Sequence, residues 1–136
     1  MPIPDLQGQA IQFRAAMDQP IAKPTRENLD LQRDLIMEEY FEFRTAANNF
    51  TPKEALKELA DLVYVCFQYA VTAGWELDEA LDRVHKSNLS KLVDGKPLKN
   101  KEGKVLKGPN YKPPYLEDLI WVAKVRSLEL EEFKAG

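Results

Sequence analysis

The sequence predicts an all-α fold, an antiparallel bundle of four to five helices with one long basic loop. Three observations support that class. Apolar residues recur at helical spacing along most of the chain. Helix start and stop signals punctuate it, the strongest being Thr51-Pro52-Lys53-Glu54 and Gly74. Strand-like alternation is almost absent outside the loop. The 136 residues suit one domain spanning 1–136, with a core at about 25–92, the loop at 93–113 and a C-terminal helix at 115–133.

The elements follow in order. Asp5 to Met17 reads as a short helix that Asp5 can cap, with Leu6, Ala10, Phe13 and Met17 on one face. Asp18 to Pro24 is a connector broken by Pro20 and Pro24. A second helix runs from about Thr25 to Asn48, and Asn48-Asn49 is a plausible stop. Thr51 can cap the third helix, Pro52 suits its first position and Glu54 completes a capping box. That helix continues to Ala73 and ends at Gly74 as a left-handed residue. A fourth spans Leu77 to Leu92, with Asp78 and Glu79 favourable in its first turn. The loop holds Asp94-Gly95, Gly103, Gly108-Pro109 and Pro113-Pro114, with weakly signalled hairpin-like pieces near Pro97-Leu98 and Val105-Leu106. A last helix, Tyr115 to Phe133, carries Leu116, Leu119, Ile120, Ala123 and Leu128.

Composition excludes several classes of function. No apolar run approaches the roughly 18 residues of a membrane span, and the N-terminus lacks a signal-peptide pattern, so a cytoplasmic protein is expected. The single Cys66 cannot form an internal disulfide and, in an apolar segment, reads as a buried structural thiol. With His85 the only histidine, no site needing two imidazoles and no Cys/His zinc cluster can be built. The net charge is only −3, but it is unevenly spread. Residues 27–61 hold nine acids against Arg33, Arg44, Lys53 and Lys57, whereas residues 93–113 hold six lysines against Asp94 and Glu102.

The chemistry lies in Glu38-Glu39-Tyr40-Phe41-Glu42 and Glu58-Leu59-Ala60-Asp61. Glu39 and Glu42 are three apart, so they share a helix side; Glu58 and Asp61 repeat that spacing on the next helix. The short link near Asn48 to Phe50 makes the two helices antiparallel neighbours, with both pairs at matching heights. Four facing carboxylates repel one another unless cations lie between them, and hard oxygen ligands suit Mg²⁺, or Mn²⁺ in its place. Asp61 interrupts the apolar run Leu59 to Phe67, where an unpaired buried charge would cost several kcal/mol. Two plainer readings stand beside this one. The acids could be a solvated face, or a face salt-bridged by Lys53, Lys57 or Arg44, although surface pairs do not account for Asp61.

These residues resemble the MazG-like superfamily of all-α nucleoside triphosphate pyrophosphohydrolases, which includes phosphoribosyl-ATP pyrophosphohydrolase and the dimeric dUTPases. The likeness extends through Leu62-Val63-Tyr64 and Ser87-Asn88-Leu89-Ser90-Lys91-Leu92. The loop from Asp94-Gly95-Lys96-Pro97 to Gly108-Pro109-Asn110-Tyr111 looks like the phosphoribosyl-ATP pyrophosphohydrolase-like branch, so that the resemblance covers about residues 25 to 115. It implies that Glu39, Glu42, Glu58 and Asp61 are the metal ligands. Glu38 would assist, orienting water or joining a further metal. The implied reaction cleaves the α–β phosphoanhydride, giving a nucleoside monophosphate and pyrophosphate. Asn88 and Lys91 would bind phosphate and sugar oxygens, with Lys96, Lys104 and Lys107 closing from the loop and Tyr111 beside them. Phe13, Trp75 and Tyr111 are stacking candidates for a base, packing being the plainer role of each; His85 has a structural role.

Alternatives remain open within that resemblance and outside it. The enzyme of histidine synthesis acting on phosphoribosyl-ATP shares the acidic motif, as does a housekeeping enzyme favouring dUTP or dCTP. A carboxylate metal-binding bundle without hydrolysis normally uses Glu-x-x-His on two helices, which one histidine cannot supply. Overall acidity argues against a nucleic-acid partner, and nothing suggests a membrane. Ile120, Trp121, Val122 and Val125 widen the apolar face of the last helix, and with the family resemblance this leads to an expected homodimer or homotetramer.

Overall fold

The computed structural model describes residues 4–49 and 51–120. They form four helices in the order α1 (Leu6–Ala16), α2 (Arg26–Asn48), α3 (Pro52–Ala73) and α4 (Leu77–Leu89), with loop between and after them. The all-α class read from the sequence is the observed one. Among the described residues, no helix is long and apolar enough to cross a membrane.

α2 and α3 form the most extensive packing of the molecule, as two long helices joined by a tight link must. Thr25 caps α2, its hydroxyl accepting from Asn28 N at 3.1 Å. At the other end of the hairpin the expected capping box is not made. The Thr51 hydroxyl donates back to Ala46 O at 3.0 Å, and Thr51 N donates to the same carbonyl at 3.3 Å. The side chain thus closes the turn, and α3 starts on Pro52, whose missing N–H loses nothing at a first helical position. Gly74 ends α3 at φ +86°, and Trp75 N returns to Ala70 O at 2.8 Å.

α1 lies across the C-terminal half of α3. The core there consists of Ala10, Ile11, Phe67 and Val71, with Ile21 and Leu77 packed against it. The buried face of α1 is Gln7, Ala10, Ile11 and Arg14, one position away from the predicted Leu6, Ala10, Phe13 and Met17. Leu6 and Met17 are exposed instead. Two polar residues take their places because the backbone nearby satisfies them. Gln7, with 0% exposure, donates to Trp75 O at 2.8 Å and accepts from Leu77 N at 3.1 Å. Arg14 donates to Pro20 O at 2.6 Å and to Gln68 Oε1 at 3.2 Å. The connector is pinned as well, Ala22 N and Lys23 N each donating at 2.9 Å to Val71 O and Thr72 O. These bonds satisfy carbonyls that the last turn of α3 leaves open.

α4 ends at Leu89, three residues before the predicted Leu92. Serine hydroxyls explain the early stop. Ser90 Oγ donates to Ser87 O at 2.6 Å, while Ser87 Oγ donates to Lys112 O at 2.7 Å and Lys112 N donates to Ser90 Oγ at 2.9 Å. The loop is thereby tied to α4. Its hairpin-like pairing is slight, with isolated bridges Val93–Lys96 and Lys99–Val105. The expected helix from Tyr115 begins late, with helical backbone at Leu119 and Ile120. Arg83 donates to the Tyr115 carbonyl at 2.9 Å and to Asp118 at 2.6 and 3.0 Å, tying to α4 a stretch that forms a turn before Leu119. Residues 121–133, including Trp121, Val122, Ala123, Val125 and Leu128, lie outside the described residues.

Candidate active site

The α2–α3 hairpin brings acids from both helices together. Carboxylate oxygens of Glu39, Glu58 and Asp61 all lie within 4.8 Å of one another. Glu42 is not in that group but stands beside it: its side chain shares a hydrogen bond with Glu39 and, with Glu58, lines an adjoining cleft. Glu38 is exposed, one residue and hence about 100° of helix rotation from Glu39.

Electrostatics set these acids apart from an ordinary surface face. The Glu39 carboxyl is pushed up to about 7, first by burial, then by the charge and hydrogen bond of Glu42, then by the charges of Asp61 and Glu58. Its Oε2 and the Oε2 of Glu58 are buried and have no hydrogen-bond partner. Lys57 supplies the nearby positive charge, its Nζ 2.7 Å from Asp61 Oδ2 and 3.5 Å from Glu58 Oε1. Hydrogen bonding to Asp61, then the charges of Asp61 and Glu58, raise the Lys57 ammonium above its usual range.

The environment of Asp61 differs from the sequence reading. Its side chain is 37% exposed, and Leu59, Val63 and Tyr64 around it are 41%, 43% and 40% exposed. The apolar run is not a buried interior at this height, because the core starts only at Phe67, where α1 covers α3. Asp61 also has the ion-pair partner that a surface reading supplies, in Lys57. The case for a cation site therefore rests on the unpartnered oxygens of Glu39 and Glu58, and not on Asp61 being buried.

The other candidate residues lie on a different unit. Asn88 is exposed on α4, and Lys91 falls two positions beyond that helix. Lys107 Nζ lies 4.9 Å from the centre of the Tyr111 ring, a cation–π contact within the loop. The ion pairs of the carboxylates stay on α3, whereas the bonds of the loop run within it and to α4. Within one chain, among the described residues, the structure does not show Lys91 or the loop lysines meeting the acids. The aromatic candidates pack: Phe13 meets Tyr64 edge-on at 5.6 Å, and Trp75 lies against Tyr69 at 5.7 Å. His85 is exposed on α4. Cys66 is half-buried, with burial pushing its thiol up, which suits an inert side chain.

Residues that sequence reasoning had not placed at the site are the further lining of the cleft, Phe41, Thr45, Ala46, Asn49 and Glu54, enclosing about 370 Å³ next to Glu42 and Glu58. The signal was available for Thr45, which stands three residues after Glu42 on the same helix side. Asn49 depends on the shape of the turn and carried no such signal.

The raised Glu39 carboxyl gives a pH dependence with a definite sign. The folded chain holds this proton up to about 7, whereas the unfolded chain releases it near 4.5. Between those values the folded state binds more protons, so stability is full below the window and falls as pH rises through it. Protein stripped of divalent ions by EDTA is expected to melt several degrees lower at pH 8 than at pH 5.5. Glu39→Gln should flatten that difference. An unchanged difference in the variant would assign the dependence to other groups.

Comparison with known proteins follows the same elements. A family model described as phosphoribosyl-ATP pyrophosphohydrolase matches residues 9–88, from within α1 through both acidic helices to Asn88. No curated protein matches the chain. The matched span covers more than half of the 136 residues and includes Glu38, Glu39, Glu42, Glu58 and Asp61. The chain therefore belongs to the phosphoribosyl-ATP pyrophosphohydrolase family, a family of nucleotide pyrophosphohydrolases within the MazG-like superfamily.

Proposed function

We propose that this protein is a Mg²⁺-dependent nucleoside triphosphate pyrophosphohydrolase, able to use Mn²⁺, that converts its substrate and water into a nucleoside monophosphate and pyrophosphate. The observation that carries this reading is the meeting of Glu39, Glu58 and Asp61 within 4.8 Å, with two buried oxygens lacking any partner. An all-carboxylate donor set of this kind fits a hard divalent cation. Glu39, Glu58 and Asp61 would hold it, with Glu42 as a fourth ligand close by. When bound, such an ion neutralises phosphate oxygens and lowers the pKa of a coordinated water.

The remaining steps fall to side chains. Glu38, exposed and adjacent, orients the water that attacks phosphorus and accepts its proton, while the pyrophosphate oxygen leaves from the opposite side. Asn88, Lys91, Lys107 and Tyr111 bind the phosphate and sugar oxygens. Since those residues sit on α4 and the loop, we propose that a second copy of the chain brings them to the acids, in a homodimer or homotetramer. Exposed Leu31, Met37, Leu56, Leu59 and Val63 on α2 and α3 support an assembled form, because a monomer rarely leaves such apolar faces in water.

The family match favours one particular second reading, in which phosphoribosyl-ATP is the substrate. A panel of nucleoside triphosphates plus phosphoribosyl-ATP, assayed for pyrophosphate release with Mg²⁺, with Mn²⁺ and with EDTA, tests both. Turnover of one or more triphosphates only with added metal is the expected result. Exclusive turnover of phosphoribosyl-ATP would select the second reading. Metal binding without turnover of any nucleotide would make the chain a metal-binding bundle.

A further inference from the structure

Lys57 immediately precedes Glu58 and stands one turn before Asp61 on α3, so one flexible side chain reaches both. Its ammonium pairs with two of the three carboxylates that meet between the helices, at 3.5 Å and 2.7 Å. The third, Glu39, approaches from α2 and keeps an oxygen without a partner. The Lys57 side chain is 67% exposed and no core packing holds it. It can leave the acids at little cost, since exposed pairs of this spacing are weak.

The geometry points to Lys57 as the built-in counter-cation of the site, which a divalent ion must displace from Asp61 and Glu58 before it binds. This rests on the metal-site reading given above. A released ammonium loses two anionic partners and gains a replacement only when another anion arrives, and a polyphosphate chain is such an anion. Lys57 therefore couples the two binding events: the ion binds weakly to the free protein and more tightly when nucleotide is present. By linkage, nucleotide affinity rises with the ion by the same factor. Lys57 is a positioning residue for the metal and a direct contact for phosphate, two roles that the acidic motif does not supply.

The test measures Mn²⁺ binding by the electron paramagnetic resonance signal of free Mn²⁺, with and without α,β-methylene-ATP, which resists cleavage at the relevant bond. Lys57→Met keeps the aliphatic stem and removes the charge, whereas Lys57→Arg keeps the charge. The methionine variant should bind Mn²⁺ about tenfold more tightly without nucleotide, and the gain caused by nucleotide should shrink by a similar factor. The arginine variant should stay near the parent in both respects. Saturable Mn²⁺ binding that Lys57→Met leaves unchanged or weakens would overturn the assignment of Lys57 alone. Absence of saturable binding in the parent protein would overturn the metal site itself, and Lys57 with it. Circular dichroism of each variant separates both outcomes from unfolding.

Discussion

Glu58→Gln is expected to lower metal-dependent pyrophosphate release about a thousandfold while leaving the helices intact. The substitution is isosteric and lies inside α3, beyond its first turn, where Gln is as good a helix former as Glu. It removes one anionic oxygen donor from the three that meet within 4.8 Å. Residues that merely support a metal ligand typically cost 10–100-fold when lost, and loss of a ligand itself should exceed that. Asp61→Asn should behave alike. In the absence of metal, the Glu58 variant should melt at or above the parent at pH 8, because one of the charges that raise the Glu39 carboxyl is gone. Loss of activity with gain of stability is the signature of a functional acid cluster. A variant within threefold of the parent activity would remove Glu58 from the site.

Phe67→Ala should cost about 3–5 kcal/mol of stability, a large part of what holds a domain of this size together. Phe67 is 3% exposed and, with Ala10, Ile11 and Val71, makes up the core where α1 crosses α3. One of those neighbours is only an alanine and the other two are β-branched and stiff, so little can move in to refill the space. Urea denaturation followed by helix signal checks the value, and a loss below about 1 kcal/mol would mean that the contact of α1 with α3 contributes little to stability. The same variant probes the origin of the site's rigidity. Glu58 and Asp61 sit about two and a half and just under two turns before Phe67 on the same helix, which packs far more extensively on α2 than on α1.

The parts of this molecule that could be read from sequence are those whose causes are local. Pro52 starting α3 and Gly74 ending it each act through their own backbone, and both appear as expected. The acid pairs follow from spacing and a short link, which is geometry of the same local kind. What could not be read depends on partners distant in sequence. Gln7 is buried because Trp75 O and Leu77 N lie opposite it, and Arg14 because Pro20 O and Gln68 do. No pattern within α1 announces this. Asp61 was misjudged for a similar reason: an apolar run implies burial only where another element covers it, and the buried core that α1 makes with α3 takes in Phe67 and Val71 but not the residues beside Asp61. The early end of α4 and the late start of helical backbone at Leu119 go with Ser90 and Arg83, whose bonds reach across 22 to 35 positions.

One consequence of the α2–α3 hairpin concerns the order of events in folding. The four acids fall between positions 39 and 61, on two helices joined by a link of a few residues. Contacts of so short a range close early, because the chain entropy lost in a small loop is small. A growing polypeptide that has released the hairpin already offers its ligands, before α4 and the loop have been made. On the proposed metal-site reading, an ion captured then would act as a fastener on the half-built protein, offsetting repulsion between the acids of the two helices. If the proposed metal site holds, divalent-ion supply during synthesis would then affect how much folded protein accumulates, which expression yield with and without added Mg²⁺ would check.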